Sequence, residues 1–483
     1  MDRKKTASAE LFSLFPLCIS MAKRALKDKA RIRVTNIISI CFSELKERPL
    51  RCNIYRILSN YCQIMIKGKP ISVSLSPNTQ KDDVLLALKI IFNPREWQKG
   101  KTVKELEESF KKYLGVQYAF SFNSGRSSLE AILRALEIKS GDEVLMQAFT
   151  CNAAVNPILK VGAKPVFVDI DSTLNLSLED LKKKITPRSK AVMVQHTFGW
   201  PADIAEIKDF CQQNKLFLIE DCAHSLGARY DNKLCGVFGD AAFFSFGRDK
   251  IISSVYGGMA TTSNPGIAKK IGEFYASIDC PSSAWTLQQL LHPVLMNYLV
   301  LPFYDCLKAG KAFLSFFINT GILSKAVTKN EGKGILPGYF PKRMPNALAV
   351  LAQNQFKKLK QFNSHRQNIA KIYTEKLANS EKFILPFAVK KGQDKFPIFM
   401  KYPVLTANPK ALTEKFKKAN IYINDGWSGS PIVPPLTRLE IFGYKKSSCP
   451  KAEEVAKKII NLPTHINVPE EKANLITKIL IDL

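Results

Sequence analysis

The sequence predicts an α/β fold, a mostly parallel sheet flanked by helices, followed by a smaller α+β domain. Three observations lead there. Short apolar runs alternate with amphipathic segments from about Val116 to Ser263. Residues suited to holding a ligand fall at the ends of those runs. Residues 336–483 combine one long helical pattern with short strand-like pieces.

The candidate strands are Glu143–Gln147, Pro165–Asp169, Ala191–His196, Leu216–Asp221, Ala241–Phe246 and Gly258–Thr262. Between them, Leu129, Ile132, Leu133 and Leu136 repeat at the spacing of one helix face. Asp203 followed by Glu206 has the form of a capping box that opens a further helix. This alternation is that of parallel strands covered by helices. In the C-terminal part a long helix is expected over Asn346–Leu377, strands over Phe399–Leu405 and Tyr422–Asn424, and a helix over Lys451–Ile460. The resulting division is a basic helical extension at 1–90, a large domain at 91–275, an apolar helical insertion at 276–335 and a small domain at 336–483.

A chain of 483 residues with 46% apolar content suits two packed domains with extensions. Eleven cysteines at irregular spacings, without a CxxC pair, read as reduced thiols of a cytoplasmic protein. No metal-ligand spacing is present. The first residues join a basic opening to a short apolar run, which contains Glu10 and is followed by Lys23 and Arg24, the pattern of an amphipathic extension. A net charge of +29 attracts polyanions, whether anionic lipid or phosphorylated small molecules, and equally fits a lysine-rich solvated surface. Zinc-finger spacing, RNP motifs and a helix-turn-helix signature are all missing, so no nucleic-acid partner is expected.

Cys280–Tyr304 contains no charged residue, and neither does Ala312–Ser324. The first run is nominally long enough to span a bilayer, but Pro281, Gln288, Gln289, His292, Pro293, Asn297 and Pro302 break and polarise it. Two readings stay open for 280–325. One is a helical hairpin in a membrane interface with Trp285 and Tyr304 at its edges, a peripheral contact on the inner face of the membrane. The other is an apolar lid or dimer contact.

Three motifs carry chemistry. Asn123-Ser-Gly-Arg-Ser-Ser128 introduces a helix whose free N–H groups, with Arg126, suit a phosphate dianion; it is also an ordinary N-cap sequence. Ile219-Glu-Asp-Cys-Ala-His224 ends an apolar strand with an acidic pair able to keep a pyridinium nitrogen protonated; taken alone, the pair equally caps a helix after the strand. Phe243-Phe-Ser-Phe-Gly-Arg-Asp-Lys250 places a lysine beyond an apolar strand and before Gly257-Gly258; buried near other cations it can form an imine, whereas most lysines after strands are solvated, so the conjunction of the three motifs carries the reading.

With the stretches GAKPVFVDID, ITPRSKAVMVQHTFGWPADI, LIEDCAHSLGARY, FGDAAFFSFGRDK, YGGMATT and NLPTHINV, the chain resembles the DegT/StrS-type sugar aminotransferases over roughly residues 95–275 and 337–480. The resemblance implies a pyridoxal-phosphate enzyme of fold type I. Lys250 falls on the lysine that carries the cofactor as a Schiff base and acts as acid and base. Asp221 falls on the partner of the pyridine nitrogen, His224 on the residue beside the ring, and Ser245 on a phosphate ligand. The phosphate loop falls on Ser124, Gly125, Arg126 and Ser127. Cys151 stands where the family has an aromatic residue over the ring, Arg126 where it has threonine, and Tyr256 where it has an acidic residue before the paired glycines. Pro341-Lys-Arg-Met344 departs from its partner-subunit motif.

The implied function is transfer of an amino group from glutamate or glutamine to a keto sugar, nucleotide-linked, in cell-surface polysaccharide or amino-sugar biosynthesis, by a homodimer. The alternatives are a pyridoxal-phosphate enzyme with a lipid-linked substrate at the membrane, and a non-catalytic regulatory or binding homologue.

Overall fold

Alternation of side chains along each strand gives the sheet two apolar faces, and both are covered. The computed structural model describes residues 69–306, 308–387 and 394–482, within a single unit, Lys67–Leu483. Most of the basic extension expected at 1–90 lies outside the described residues; within the rest, helix α1 spans Lys81–Ile91.

The central sheet contains β1 (Tyr118–Phe122), β2 (Glu143–Gln147), β3 (Lys164–Val168), β4 (Ser189–Gln195), β5 (Phe217–Asp221), β6 (Ala241–Ser245) and β7 (Gly258–Thr262). The spatial order is β1-β7-β6-β5-β4-β2-β3. Only β7 runs antiparallel, to β6 on one side and β1 on the other. The expected mostly parallel sheet is therefore present, with β1 as an additional edge strand. On one face Val144, Met146, Ala191, Met193 and Ile219 join the larger core. On the other, Leu145, Val192, Val194 and Leu218 pack against Ile204, Ile207 and Phe210. Period-two alternation between two apolar layers is what a sheet buried on both sides requires.

Helix α2 (Gly125–Ala135) buries Leu129, Ile132 and Leu133 completely, as their spacing predicts. Helix α3 (Ile204–Gln213) starts directly after Asp203, but the expected capping box does not form there. The Asp203 carboxylate instead pairs with Lys395. An ion pair to a distant segment outcompetes the local cap, a choice that no local pattern encodes.

Helices α4 (Ser283–Leu295) and α5 (Ala309–Asn319) lie in the apolar insertion, and α4 runs on into a π turn at Met296–Val300. No helix among the described residues is long and apolar enough to cross a membrane. Trp285 does not stand at an interface edge. It is 9% exposed and packs on Tyr256 and Tyr339, with ring centroids 5.4 and 5.9 Å away. Tyr304 meets Tyr422 edge to face at 5.0 Å.

The helix expected over Asn346–Leu377 is two helices, α6 (Asn346–Lys357) and α7 (Leu359–Leu377). They break at Lys358, whose ammonium reaches Asp82 and Asp83 at 2.7 and 3.0 Å. A second, antiparallel sheet has the order β8 (Phe383–Ile384), β9 (Tyr402–Thr406), β10 (Ile459–Leu462). The expected strands at Phe399–Leu405 and Tyr422–Asn424 are thus Tyr402–Thr406 and Ile421–Tyr422. The expected final helix, Lys451–Ile460, covers Pro450–Lys458 and gives way to β10.

Candidate active site

Strands β1, β2, β4, β5 and β6 all point their C-terminal ends at one cavity of about 460 Å³. Ligands of open α/β sheets gather at that edge. Ser124, Gly125, Arg126, Cys151, Asp221, His224, Ser245 and Lys250 all line it. Ser127 does not. It sits behind the loop, its N–H donated to Ser124 Oγ at 3.1 Å and its hydroxyl to Asn123 Oδ1 at 2.7 Å.

Two glycines bring the phosphate-type loop against the sheet. A Cβ on Gly258 would lie 2.5 Å from the Gly125 nitrogen and the Ser124 carbonyl carbon. A Cβ on Gly125 would press on that of Ser245 at 3.1 Å. The first N–H groups of α2 and the Ser245 hydroxyl are thereby held together, a donor set that suits a phosphate. Ser245 Oγ also accepts the Gly247 N–H at 3.4 Å.

Asp221 ends β5 and is buried. Burial raises its carboxyl to about 6, against the Ala223 N–H bond and the nearby charges of Lys250 and His196. A buried carboxylate of this kind is stabilised by a cation placed against it. The neighbouring side chains of the strand face away. Glu220 accepts N–H bonds from Gly236, Phe238 and Gly239 at 2.7, 2.6 and 2.8 Å. His196, Glu220 and Cys222 bring ligand-type atoms within 4.8 Å of one another. His196 Nδ1 already accepts the Ala202 N–H at 3.1 Å, and Nε2 lies 3.1 Å from Glu220, so these groups hold the strand end and the 236–239 loop in place.

Lys250 Nζ lies 3.0 Å from His224 Nε2 and 3.7 Å from Asp249 Oδ1. His224 is kept neutral: burial pushes its pKa well down, and Lys250 and Lys401 push it further. Its ring is stacked on Phe198 at 5.7 Å and meets Trp427 at 4.9 Å. Asp249 is half-buried, and Lys250 and Lys401 hold its carboxyl well below the ordinary range. Lys401 also pairs with Asp425 at 2.9 Å. This chain of alternating charges fixes the lysine end of the cavity.

Arg126 lines the cavity but is committed to a partner. Its Nε is 2.6 Å from Glu331, Nη2 donates to the Ala326 carbonyl at 2.8 Å, and the guanidinium lies over Phe340. Cys151 also lines the cavity, with burial raising its thiol pKa. Sequence reasoning missed Trp427, Asp249, Lys401, Arg248 and Gln195. Only Arg248 and Asp249 carried a signal, adjacency to Lys250; the others arrive from separate strands and loops.

The model of the DegT/DnrJ/EryC1/StrS aminotransferase family matches residues 78–289 and 309–480. The chain belongs to this family of enzymes. Residues 290–308, within the insertion, fall between the two matched stretches. Among relatives, an uncharacterised protein of Methanocaldococcus jannaschii is 32% identical over 77% of this chain and 86% of its own length. GDP-perosamine synthase of Escherichia coli O157:H7 is 28% identical over 77% of this chain and 88% of its own. PseC of Helicobacter pylori, an aminotransferase of pseudoaminic acid biosynthesis, shares the fold with a TM-score of 0.65 at 21% identity, over 86% of this chain and 99% of its own. That likeness shows the fold, a mostly parallel sheet flanked by helices, as the sequence predicts.

Proposed function

We propose that this aminotransferase uses pyridoxal phosphate to move an amino group from glutamate or glutamine to a keto sugar carried on a nucleotide diphosphate. The observation that carries this reading is the meeting of Lys250, Asp221 and the Ser124/Gly125/Ser245 cradle in one cavity. The likeness to GDP-perosamine synthase supports the nucleotide-linked sugar.

The residues present fit the cofactor: a glycine-cleared cradle for its phosphate, a buried carboxylate for its ring nitrogen, and an amine for covalent attachment. When bound, pyridoxal phosphate supplies an electron sink for the carbon that loses its proton. Lys250 Nζ would take that proton and return it on the other side of the transfer. His224, neutral and 3.0 Å away, orients the amine. Asp221 would hold the proton on the ring nitrogen, and a cation there relieves the penalty of its burial. Phe198 and Trp427 keep the His224 ring fixed and limit water around it.

The test incubates purified, cofactor-loaded protein with glutamate and a panel of nucleotide keto sugars. Formation of 2-oxoglutarate and an amino sugar supports the reading. A loaded enzyme that turns over glutamate but accepts no nucleotide sugar removes the substrate class.

One observation favours a second reading, a lipid-linked keto sugar met at the cytoplasmic face of a membrane. Helix α5 leaves Phe313 and Phe316 38% and 56% exposed, while Leu314 and Ile318 line the cavity. The exposed Lys308, Lys325 and Lys329 flank it, and lysine attraction reinforces apolar insertion at an anionic interface. Replacing both phenylalanines with serine should then release the protein from vesicles containing anionic phospholipid. Native protein that ignores such vesicles removes this reading.

A further inference from the structure

Arg248 stands two residues before Lys250, on the cavity wall. Its Nη1 and Nη2 donate to the Ser324 carbonyl and hydroxyl, each at 2.6 Å, and its guanidinium lies 5.4 Å from the Tyr256 ring centre. These bonds use two of the five N–H donors of a guanidinium. The Nε atom is buried and has no hydrogen-bond partner.

The acids around the cavity are engaged elsewhere. Glu331 pairs with Arg126, Asp249 with Lys250 and Lys401, and Asp425 with Lys401. Asp221 accepts the Ala223 N–H and is reserved, in the reading above, for the ring nitrogen. Among the described residues Arg248 therefore forms no ion pair of its own. A cation withdrawn from water without a counterion is costly.

A second group on this wall is also incomplete. His292 Nε2 lies 2.8 Å from Ser76 Oγ, but its buried Nδ1 has no partner. Burial, and then the charge of Arg248, push the His292 pKa well down, so the ring is neutral. Ser324 and His292 both come from the insertion. The Ser324 hydroxyl donates onward to Gln289 at 2.9 Å, so it serves to hold the arginine fork in place.

We propose that Arg248, positioned by Ser324 and with His292 beside it, is an oxyanion subsite for an incoming substrate, binding either the phosphate of the nucleotide carrier or the carboxylate of the amino donor. The proposal rests on the transamination reading above and gives the insertion a role in it. A planar fork with free N–H groups matches an oxyanion in two-point geometry. The cofactor phosphate has its own cradle at Ser124, Gly125 and Ser245, whereas the contacts of Arg248 run to Ser324 and Tyr256.

Calorimetric titration of cofactor-loaded protein with inorganic pyrophosphate and, separately, glutarate tests it, using native protein, Arg248→Gln, Arg248→Lys and Ser324→Ala. Arg248→Gln should weaken one probe about tenfold or more, with Arg248→Lys between it and native protein, since a charge-assisted bond is lost. Loss for pyrophosphate assigns the nucleotide carrier, and loss for glutarate assigns the donor. Ser324→Ala, which keeps the cation, should stay within about threefold of native. The subsite is refuted if neither probe binds native protein, if both bind Arg248→Gln as well as native, or if Ser324→Ala loses as much as Arg248→Gln. It is equally refuted if Arg248→Gln loses only retained cofactor, which would assign the guanidinium to the cofactor phosphate. Cofactor content is measured on every sample: native protein that takes no cofactor refutes the transamination reading, while loaded protein indifferent to Arg248→Gln refutes the subsite alone.

Discussion

Arg126 of the glycine-containing loop is joined to Glu331 of the insertion by a 2.6 Å ion pair, with side chains only 11% and 1% exposed. Burial opposes the charge on Arg126, but Glu331, with smaller contributions from Tyr256, Cys151 and Tyr339, outweighs it and holds the guanidinium pKa above its usual value. The loop that begins α2 and the insertion are therefore fastened together at the cavity wall. Breaking one partner of a buried pair leaves the other charge uncompensated, so Glu331→Gln should cost about 3–5 kcal/mol. Denaturant unfolding measures this. The double variant Arg126→Gln/Glu331→Gln should recover part of the loss, and a single variant as stable as native protein contradicts the coupling.

Asp221 predicts a pH dependence in cofactor-free protein. Its folded-state value of about 6 lies above an ordinary carboxyl. Its proton is therefore held more tightly when folded, and the corresponding stability is full below about pH 4 and lost as pH rises through about 6. Asp221→Asn, which cannot ionise, should gain on native protein across that window by on the order of 2 kcal/mol and then stay level. Unfolding curves from pH 4 to 8 test this; a constant difference removes the burial argument.

Side-chain alternation along β5 separates chemistry from structure within two residues. Asp221 faces the cavity, whereas Cys222 is buried beneath the strand end and does not line it. Asp221→Ala should lower amino transfer by at least about a hundredfold, and Cys222→Ala far less. Rates measured at matched folded fractions distinguish them, and equal losses point to a structural role for Asp221.

An apolar patch predicts association. Ile335, Leu436 and Ile441 are 57%, 83% and 41% exposed. The backbone of Gly332 and Gly334 brings their segments together. Such a patch near the cavity suits the contact of a homodimer. Sedimentation should give the mass of two chains, and Leu436→Glu should shift it toward one. A monomer that completes the full transfer contradicts the dimer.

The sheet and the placement of Asp221 and Lys250 at its edge were legible because both are local. Period-two apolar runs mark β2 to β7, and short motifs end β5 and follow β6. What the chain did not disclose depends on partners far away in sequence. Asp203 gives up its cap to Lys395, the break at Lys358 answers to Asp82 and Asp83, and Arg126 turns to Glu331. Trp427 and Lys401 reach the site from the C-terminal part, where nothing in their own surroundings marks them. The uncharged run at 280–304 left a membrane hairpin and an apolar lid or dimer contact both open, and its Trp285 and His292 are buried; an apolar run alone does not say which apolar surface covers it.

The central claim is that Lys250 is the point of cofactor attachment. Protein incubated with pyridoxal phosphate, reduced with borohydride and digested should carry a single added pyridoxyl phosphate on the peptide containing Lys250. Lys250→Ala should carry none and lose amino transfer, while remaining folded. A label on another lysine, or an unlabelled native protein that still transfers amino groups, would contradict the assignment.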